Sequence, residues 1–238
     1  VTLLSKLLEQ GQTDERLAMV AEAYLGAGSV ELKLGNSDRA AEQIKRSLDI
    51  FSHLFQQRGM KAALPKMLKA YSLFAAVNLN KGKTADAMVL LKSGFDILGY
   101  LEKEGGAANL EGIELRKAEL YRQRARALFA QAEVTNALHD TDEAMRNFLL
   151  DRQKNQTGPW KDELARTWTL RSSIFFVLKD FTQAESSIQE AITHFEEQVR
   201  AGKFQYFDDL MKALSTRAEN AGKAGKIDFA CLQPGHYD

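Results

Sequence analysis

The sequence contains very little proline and almost no cysteine. Of its 238 residues, only 3 are proline and 1, Cys231, is cysteine. An internal disulfide needs two cysteines, so a disulfide-stapled scaffold is excluded, and we expect a cytoplasmic protein in a reducing compartment. Scarce proline favours long helices over a many-stranded sheet, because proline punctuates the loops that a sheet requires. The shortage of proline therefore favours an all-α protein.

The chain also lacks an excess of either charge and any long apolar run. Lys and Arg total 32, and Asp and Glu total 32, so the net charge is zero. A neutral chain creates no long-range field that attracts nucleic acid or anionic lipid. No stretch approaches the roughly eighteen apolar residues of a membrane span, and the N-terminal residues do not form a secretory signal pattern. We therefore expect no nucleic-acid partner and no membrane insertion.

Residues that carry out catalysis or bind metals do not form recognisable motifs. The sequence has neither a phosphate-binding glycine loop nor a nucleophile motif. No Cys/His cluster has zinc-site spacing. His139 lies beside Asp140 and Asp142, a pattern that also arises where acids cap the start of a helix. We therefore expect no catalytic function, no cofactor and no metal, and surface roles for the four histidines, which are His53, His139, His194 and His236.

Apolar residues recur at spacings of three and four along most of the chain, which is the periodicity of amphipathic helices. Short polar turns separate the stripes, and the predicted turns lie at residues 35–37, 81–84, 139–141, 179–180 and 222–226. In the third pair, the first helix is predicted to run from about residue 110 to 138. The pattern predicts one domain over residues 1–238, built of helix pairs at approximately 13–59, 61–105, 108–157, 159–201 and 204–233.

Aligned on these turns, the pairs share small and large residues at fixed positions. Small side chains let two helices approach closely, and a large residue one turn away fills the space where they diverge. An alanine follows each turn in one column, which consists of Ala40, Ala87, Ala144, Ala184 and Ala230. A small residue precedes each turn, at Gly28, Ala75, Ala132, Ser172 and Ala218. A large residue lies one helical turn before it, at Tyr24, Tyr71, Leu128, Trp168 and Leu214.

The third pair departs from this pattern at one position. Asp151 aligns with Ser47, Gly94 and Ala191, which are small residues in the other pairs. A carboxylate is costly to bury at a helix crossing. We therefore predict that the second helix of the third pair docks less firmly than the others.

The order of the small and large residues resembles the tetratricopeptide repeat, whose signature is W-x2-L-G-x2-Y…A-x3-F…P. The fourth pair is most similar to it, with Trp168, Ser172, Ala184 and Ile188. The resemblance covers approximately residues 13–230, with successive turn-to-turn spacings of 47, 57, 40 and 46 residues, where the family has about 34. It implies a right-handed α-solenoid of antiparallel helix pairs, whose first helices line a concave groove.

The resemblance also implies a non-enzymatic adaptor or scaffold that binds a peptide or a partner surface in this groove. In the family, the second, fifth, ninth and twelfth positions of each unit face this groove. Here the second position is basic in four of the five pairs, which predicts a cation stripe suited to an acidic or carboxylate-terminated peptide. Phe129 and Phe176 are the expected apolar anchors. The groove residues carried over from the family are Lys69, Arg126, Phe129, Asn136, Arg166, Phe176 and Lys212.

Two further expectations concern the ends of the chain. A sequence that begins at Val1 and ends inside a fifth pair leads us to expect a longer natural protein. This favours an alternative function, the sensor or regulatory arm of a larger signalling or transcription protein that binds a small ligand or signal peptide. Three apolar residues of the last pair favour a homo-oligomer through the terminal unit, and these are Ile227, Phe229 and Leu232.

Overall fold

The computed structural model describes residues 6, 7, 9–11, 13–104, 112–155 and 159–223. Over these residues the protein is all-helical and has no strand, so the prediction of an all-α protein is confirmed. Short 3-10 helices at Lys61–Ala63 and Phe204–Tyr206 each lead directly into an α-helix. The α-helices of the described chain are α1 (Asp14–Lys33), α2 (Ser37–Arg58), α3 (Leu64–Asn80), α4 (Thr84–Lys103), α5 (Ile113–Ala130), α6 (Val134–Lys154), α7 (Trp160–Val177), α8 (Phe181–Arg200) and α9 (Phe207–Lys223).

Contacts divide the chain into two compact units, Val1–Trp160 and Lys161–Asp238. In the first unit α1 packs on α2, α3 on α4 and α5 on α6, and α3 also contacts α1, α2 and α5. In the second unit, residues of α7, α8 and α9 share one apolar cluster, which contains Ala165, Ile188, Ala191, Ile192, Phe195, Leu210 and Ala213. Each unit thus has its own core of adjacent helices.

Local signals explain where several helices begin and end. The Thr13 hydroxyl accepts a hydrogen bond from the Arg16 amide and caps α1. The Asp180 carboxylate caps α8 in the same way, accepting from the Gln183 amide at 3.1 Å. Gly59 ends α2 in the left-handed conformation, with φ of 66°, where glycine has no side chain to strain.

The predicted helix crossing is confirmed most directly in the first pair. Gly28 of α1 faces α2 so closely that a Cβ there would lie 2.6 Å from Ile44 Cγ1 and 3.3 Å from the Ala40 carbonyl oxygen. Ala40, Ala87 and Ala184, which follow the turns of their pairs, are all buried. Small residues therefore mark the places where paired helices touch.

The third pair turns seven residues earlier than the sequence predicts. Its first helix, α5, ends at Ala130, and α6 begins at Val134. Ala132 lies in the intervening turn with φ of 62°, a left-handed conformation that usually requires glycine. His139 and Asp140, predicted to form the turn, lie inside α6. The predicted end of this helix at residue 138 is therefore wrong.

With the corrected turn, the first four pairs are more evenly spaced along the sequence. Successive turn residues Gly35, Gly82, Ala132 and Lys179 are 47, 50 and 47 positions apart. Ala137 now follows the third turn, and Tyr121, Ala125 and Ala144 take the large and small positions. In the corrected alignment Ala144, rather than Asp151, takes the same position as Ser47, Gly94 and Ala191. In the structure α6 packs closely against α5. The predicted weak docking of this helix is therefore wrong.

Of the predicted fifth pair, the described residues include only the first helix, α9. Gly222, where a turn was predicted to begin, lies inside α9. The expected oligomer contact stays a prediction, because its residues lie outside the described part of the chain, as do Gly225, Ala230, Cys231 and His236. Within the described ranges, every helix is too short or too polar to cross a membrane.

Candidate peptide-binding surface

The first helices of the first unit lie side by side. Lys66 Nζ on α3 lies 2.8 Å from Glu22 Oε1 on α1, which joins these two helices. Arg126 Nη2 on α5 donates to Asn80 Oδ1 at the end of α3, at 3.0 Å. Direct packing of α3 against both α1 and α5 accompanies these two links. The helices α1, α3 and α5 therefore present one continuous side of the unit, here called the first-helix surface.

The corrected turn changes which residues of the third pair occupy the groove positions of the tetratricopeptide pattern. Counted from Ala132, these positions hold Glu119, Arg122, Arg126 and Phe129. Arg126 moves from the second groove position to the ninth, and Phe129 moves from the fifth to the twelfth. Both residues therefore stay among the groove positions, but at different positions from those that the sequence predicted.

Four of the seven predicted groove residues belong to the first unit. Lys69 on α3, and Arg126 and Phe129 on α5, are half-buried residues of first helices. Asn136 is different, because it lies in the first turn of α6 and is exposed. Its side-chain amide donates to Glu133 Oε2 at 2.8 Å. The prediction that Asn136 lines a first helix is therefore wrong.

The other three predicted residues belong to the second unit and differ in environment. Arg166 on α7 pairs with Glu163 and donates from Nη2 to Asp209 Oδ2 at 2.6 Å. Burial lowers the pKa of Arg166, but the two carboxylates outweigh burial and raise it overall. Phe176 packs against Phe181 with ring centroids 5.3 Å apart. Lys212 is exposed on α9.

The predicted cation stripe is interrupted in the third pair. Glu119, rather than Arg126, takes the second groove position once the turn is placed at Ala132. Glu119 pairs with Arg116 at 2.6 Å. Burial lowers the pKa of Lys69, as does the nearby Arg116 guanidinium, while Glu119 acts in the opposite direction. The first-helix surface therefore carries charges of both signs, and the basic residue predicted at the second position of the third pair is wrong.

Sequence reasoning missed one feature of this surface. Leu32, Leu79 and Phe129 hold the same position near the ends of α1, α3 and α5, and all three are half-buried. The misplaced turn put Asn136 in this column instead of Phe129. Aligning the third pair on Ala137, the alanine that follows the observed turn, would have placed Phe129 in the same column as Leu32 and Leu79.

A hydrogen-bonded cluster of ionisable side chains lies in the second unit. His194 Nε2 on α8 lies 2.9 Å from Asp162 Oδ1 on α7. Tyr206, just before α9, donates its hydroxyl to Asp162 Oδ2 at 2.5 Å. These hydrogen bonds link α7 to α8 and to the 3-10 helix before α9. No group of three or more His, Cys, Asp or Glu residues with the arrangement of a metal site occurs in the described chain.

Comparison with known proteins identifies no family for this chain. No protein-family model matches the sequence. No curated protein matches it either. Among solved structures, it is similar to the crystal structure of BtubC (BKLC) from P. vanneervenii, with 14% identity and a TM-score of 0.42, over 95% of this chain and 96% of that chain. A likeness at this level carries neither a family nor an activity.

Proposed function

We propose that this protein is a tetratricopeptide-like, right-handed α-solenoid that acts as a non-enzymatic adaptor and binds a peptide on its first-helix surface. The side-by-side packing of α1, α3 and α5 is the observation that carries this proposal. In solenoids of helix pairs, consecutive first helices line one wall, and that wall is the usual binding surface. The proposal includes the cytoplasmic location expected from the sequence.

The packing of the first helices supports a rigid binding surface. Small residues hold these helices to their partners, as Gly28 does against Ile44. An ion pair between Lys66 and Glu22 also connects two neighbouring first helices. Side chains on a rigid scaffold lose little entropy when a ligand binds, which favours affinity.

A peptide-display experiment tests the proposal. The 238-residue chain would be immobilised and panned against a library of random peptides, and the affinity of a selected peptide measured by fluorescence anisotropy. Ser29 is half-buried on α1 at the ninth groove position. We expect Ser29→Arg to weaken binding at least about tenfold, because a bulky cation would obstruct a central contact.

Ser93 provides a matched control, because it is half-buried on α4, a second helix. Ser93→Arg adds the same side chain on the other side of a helix pair and should leave the dissociation constant unchanged. Far-UV circular dichroism would verify that both variants fold. Failure to select any peptide above background, or equal losses in both variants, would overturn the proposal.

A further inference from the structure

One face of α9 in the second unit is apolar and exposed. Phe207, Met211 and Leu214 follow one another at spacings of four and three, so they lie on the same side of the helix. Their exposed fractions are 51%, 48% and 38%. Leu210 and Ala213, on a different side of α9, belong to the core of the unit. The three exposed residues, here called the α9 strip, are therefore uncovered on a helix that is already anchored.

The pattern shared by the helix pairs explains why this face is apolar. Leu214 and Ala218 hold the large and small positions that Tyr24 and Gly28 hold in the first pair. There the small position meets the second helix of the pair, with Gly28 against Ile44. Within the described residues no second helix follows α9, and Ala218 is exposed. The α9 strip is therefore a surface suited to packing against another helix.

The side chains on this face suit a second α9 helix that runs in the opposite direction. The large residues of the strip lie in the N-terminal half of α9, and Ala218 and Gly222 continue the same side in its C-terminal half. Parallel copies would place large residues against large ones and leave gaps beside the small ones. Antiparallel copies would place Met211 of each chain against Ala218 of the other, and Phe207 against Gly222, which fills the space evenly.

The charges beside the strip favour the same arrangement. Asp208 lies in the first turn of α9 and Lys223 in the last, and Lys212 and Glu219 lie between them on the same edge. Antiparallel packing about a two-fold axis brings Asp208 beside Lys223 of the other chain. It brings Lys212 beside Glu219 in the same way. Within the described ranges, Asp208, Lys212 and Lys223 form no ion pair, and the Ser215 hydroxyl donates to Glu219 Oε1 at 3.4 Å.

We propose that the chain forms a two-fold homodimer in which the α9 strips of two copies pack antiparallel. One surface then serves both copies, as in most symmetric dimers. Burial of the exposed apolar side chains drives association, and the charged edge sets the direction of packing. The sequence predicted a homo-oligomer through residues that follow α9, whereas this interface belongs to α9 itself. It lies on the second unit, so it does not depend on the peptide-binding surface proposed for the first unit.

Analytical ultracentrifugation of the 238-residue chain over a range of concentrations tests the dimer. We expect a mass of twice the 26.6 kDa of one chain at high concentration. Met211→Arg should weaken the dimer at least about tenfold, because it places a charge at the centre of an apolar contact. Met19→Arg is the matched control, since Met19 is 71% exposed on α1 in the first unit, and it should leave the dissociation constant unchanged. Far-UV circular dichroism verifies that both variants fold.

An exchange of charges tests the direction of packing. Asp208→Lys and Lys223→Asp should each weaken the dimer about fivefold, because each places like charges side by side across the two-fold axis. The two changes together should recover most of the loss. These positions are 15 residues apart on one helix, about 22 Å at 1.5 Å per residue, so they cannot pair within one chain. Recovery in the double variant would therefore report a contact between chains.

Three results would overturn the inference. The first is a monomer at every concentration, in which case a loss of stability in Met211→Arg would assign the strip to residues 224–238 of the same chain. The second is a dimer that Met211→Arg leaves as tight as Met19→Arg does. The third is a double variant of Asp208 and Lys223 that dimerises as weakly as the single variants, which would exclude the antiparallel arrangement.

Discussion

The Arg124 guanidinium and the Asp140 carboxylate form a two-bond ion pair between α5 and α6. Arg124 Nε and Nη2 donate to the two Asp140 oxygens at 2.6 and 2.8 Å. The Asp140 side chain is only 3% exposed. The guanidinium also lies 4.1 Å from the Phe95 ring centroid and 5.1 Å from that of Tyr121. The hydrogen bonds to Asp140 raise the pKa of Arg124, although burial acts against them.

Removing the arginine alone should destabilise the first unit strongly. Arg124→Met leaves the Asp140 carboxylate buried without its partner, and we expect the free energy of unfolding to fall by about 3 kcal/mol. Arg124→Met combined with Asp140→Leu should recover most of this loss, since no buried charge then remains. Urea denaturation of the single and double variants measures both effects.

An exposed ion pair of the first unit provides the control. Lys92 pairs with Asp96 on α4, and the two side chains are 81% and 69% exposed. Lys92→Met should change the free energy of unfolding by less than about 0.5 kcal/mol, because solvent screens such a pair. Similar losses for Arg124→Met and Lys92→Met would contradict the structural role of the Arg124–Asp140 pair.

Two glycines of α1 should respond in opposite ways to the same substitution. A Cβ on Gly28 would lie 2.6 Å from Ile44 Cγ1, whereas a Cβ on Gly26 would meet no atom within 4 Å. Gly26→Ala should therefore stabilise the protein by about 1 kcal/mol through helix propensity. Gly28→Ala should destabilise it by about 1–3 kcal/mol, because the crossing with α2 must widen. Thermal unfolding of the two variants compares them, and a stabilising Gly28→Ala would contradict the close crossing.

The Asp162 cluster predicts how the stability of the second unit depends on pH at the acidic end. Burial raises the pKa of Asp162, but hydrogen bonds from His194 and Tyr206 outweigh burial and hold it below its usual 3.8. A depressed carboxyl pKa contributes stability above pH 3.8 that is lost as the pH falls further. Asp162→Asn should make unfolding less sensitive to pH below about 4. Chemical denaturation of both proteins across acidic pH measures this, and parallel pH profiles would count against the cluster.

The same cluster has a signature at high pH. Burial and the hydrogen bond to Asp162 raise the pKa of Tyr206 to about 12 from 10.0. The neutral phenol is favoured in the fold, so its contribution to stability is complete below pH 10 and is lost as the pH rises towards 12. Ultraviolet titration should show a late phenolate step that Tyr206→Phe removes. A titration unchanged by Tyr206→Phe would show that this phenol is not perturbed.

The sequence predicted the helices well where local signals mark their ends, and poorly where tertiary contacts override them. Gly35 and Gly82 mark their turns, and Lys179 and Asp180 lie in the turn that the sequence predicted before α8. Inside α6, however, His139 and Asp140 resemble a polar turn, because nothing in the local sequence shows that Arg124 pairs with Asp140. The missed turn has no glycine to mark it.

The sequence predicted the candidate site only in part, because the site also depends on tertiary contacts. Phe129 and Arg126 were placed on a first helix, which is where they lie. Pairing across helices stayed hidden, since the partners of Arg126 and Arg166, Asn80 and Asp209, are 46 and 43 residues away in sequence. Sequence spacing alone does not reveal that the Asp209 carboxylate neutralises Arg166, so the cation stripe was overestimated.

Two non-glycine residues in left-handed turns provide a final test of the corrected register. Ala132 and Lys179 have φ of 62° and 64°, and the equivalent turn residues Gly35 and Gly82 are glycines. A side chain costs about 1 kcal/mol in this conformation, so Ala132→Gly and Lys179→Gly should each stabilise the protein by up to about 1 kcal/mol, less the entropy that glycine adds to the unfolded chain. Gln131, with φ of −90°, is the control, and Gln131→Gly should destabilise. Urea denaturation measures all three, and equal destabilisation by Ala132→Gly and Gln131→Gly would place the third turn elsewhere.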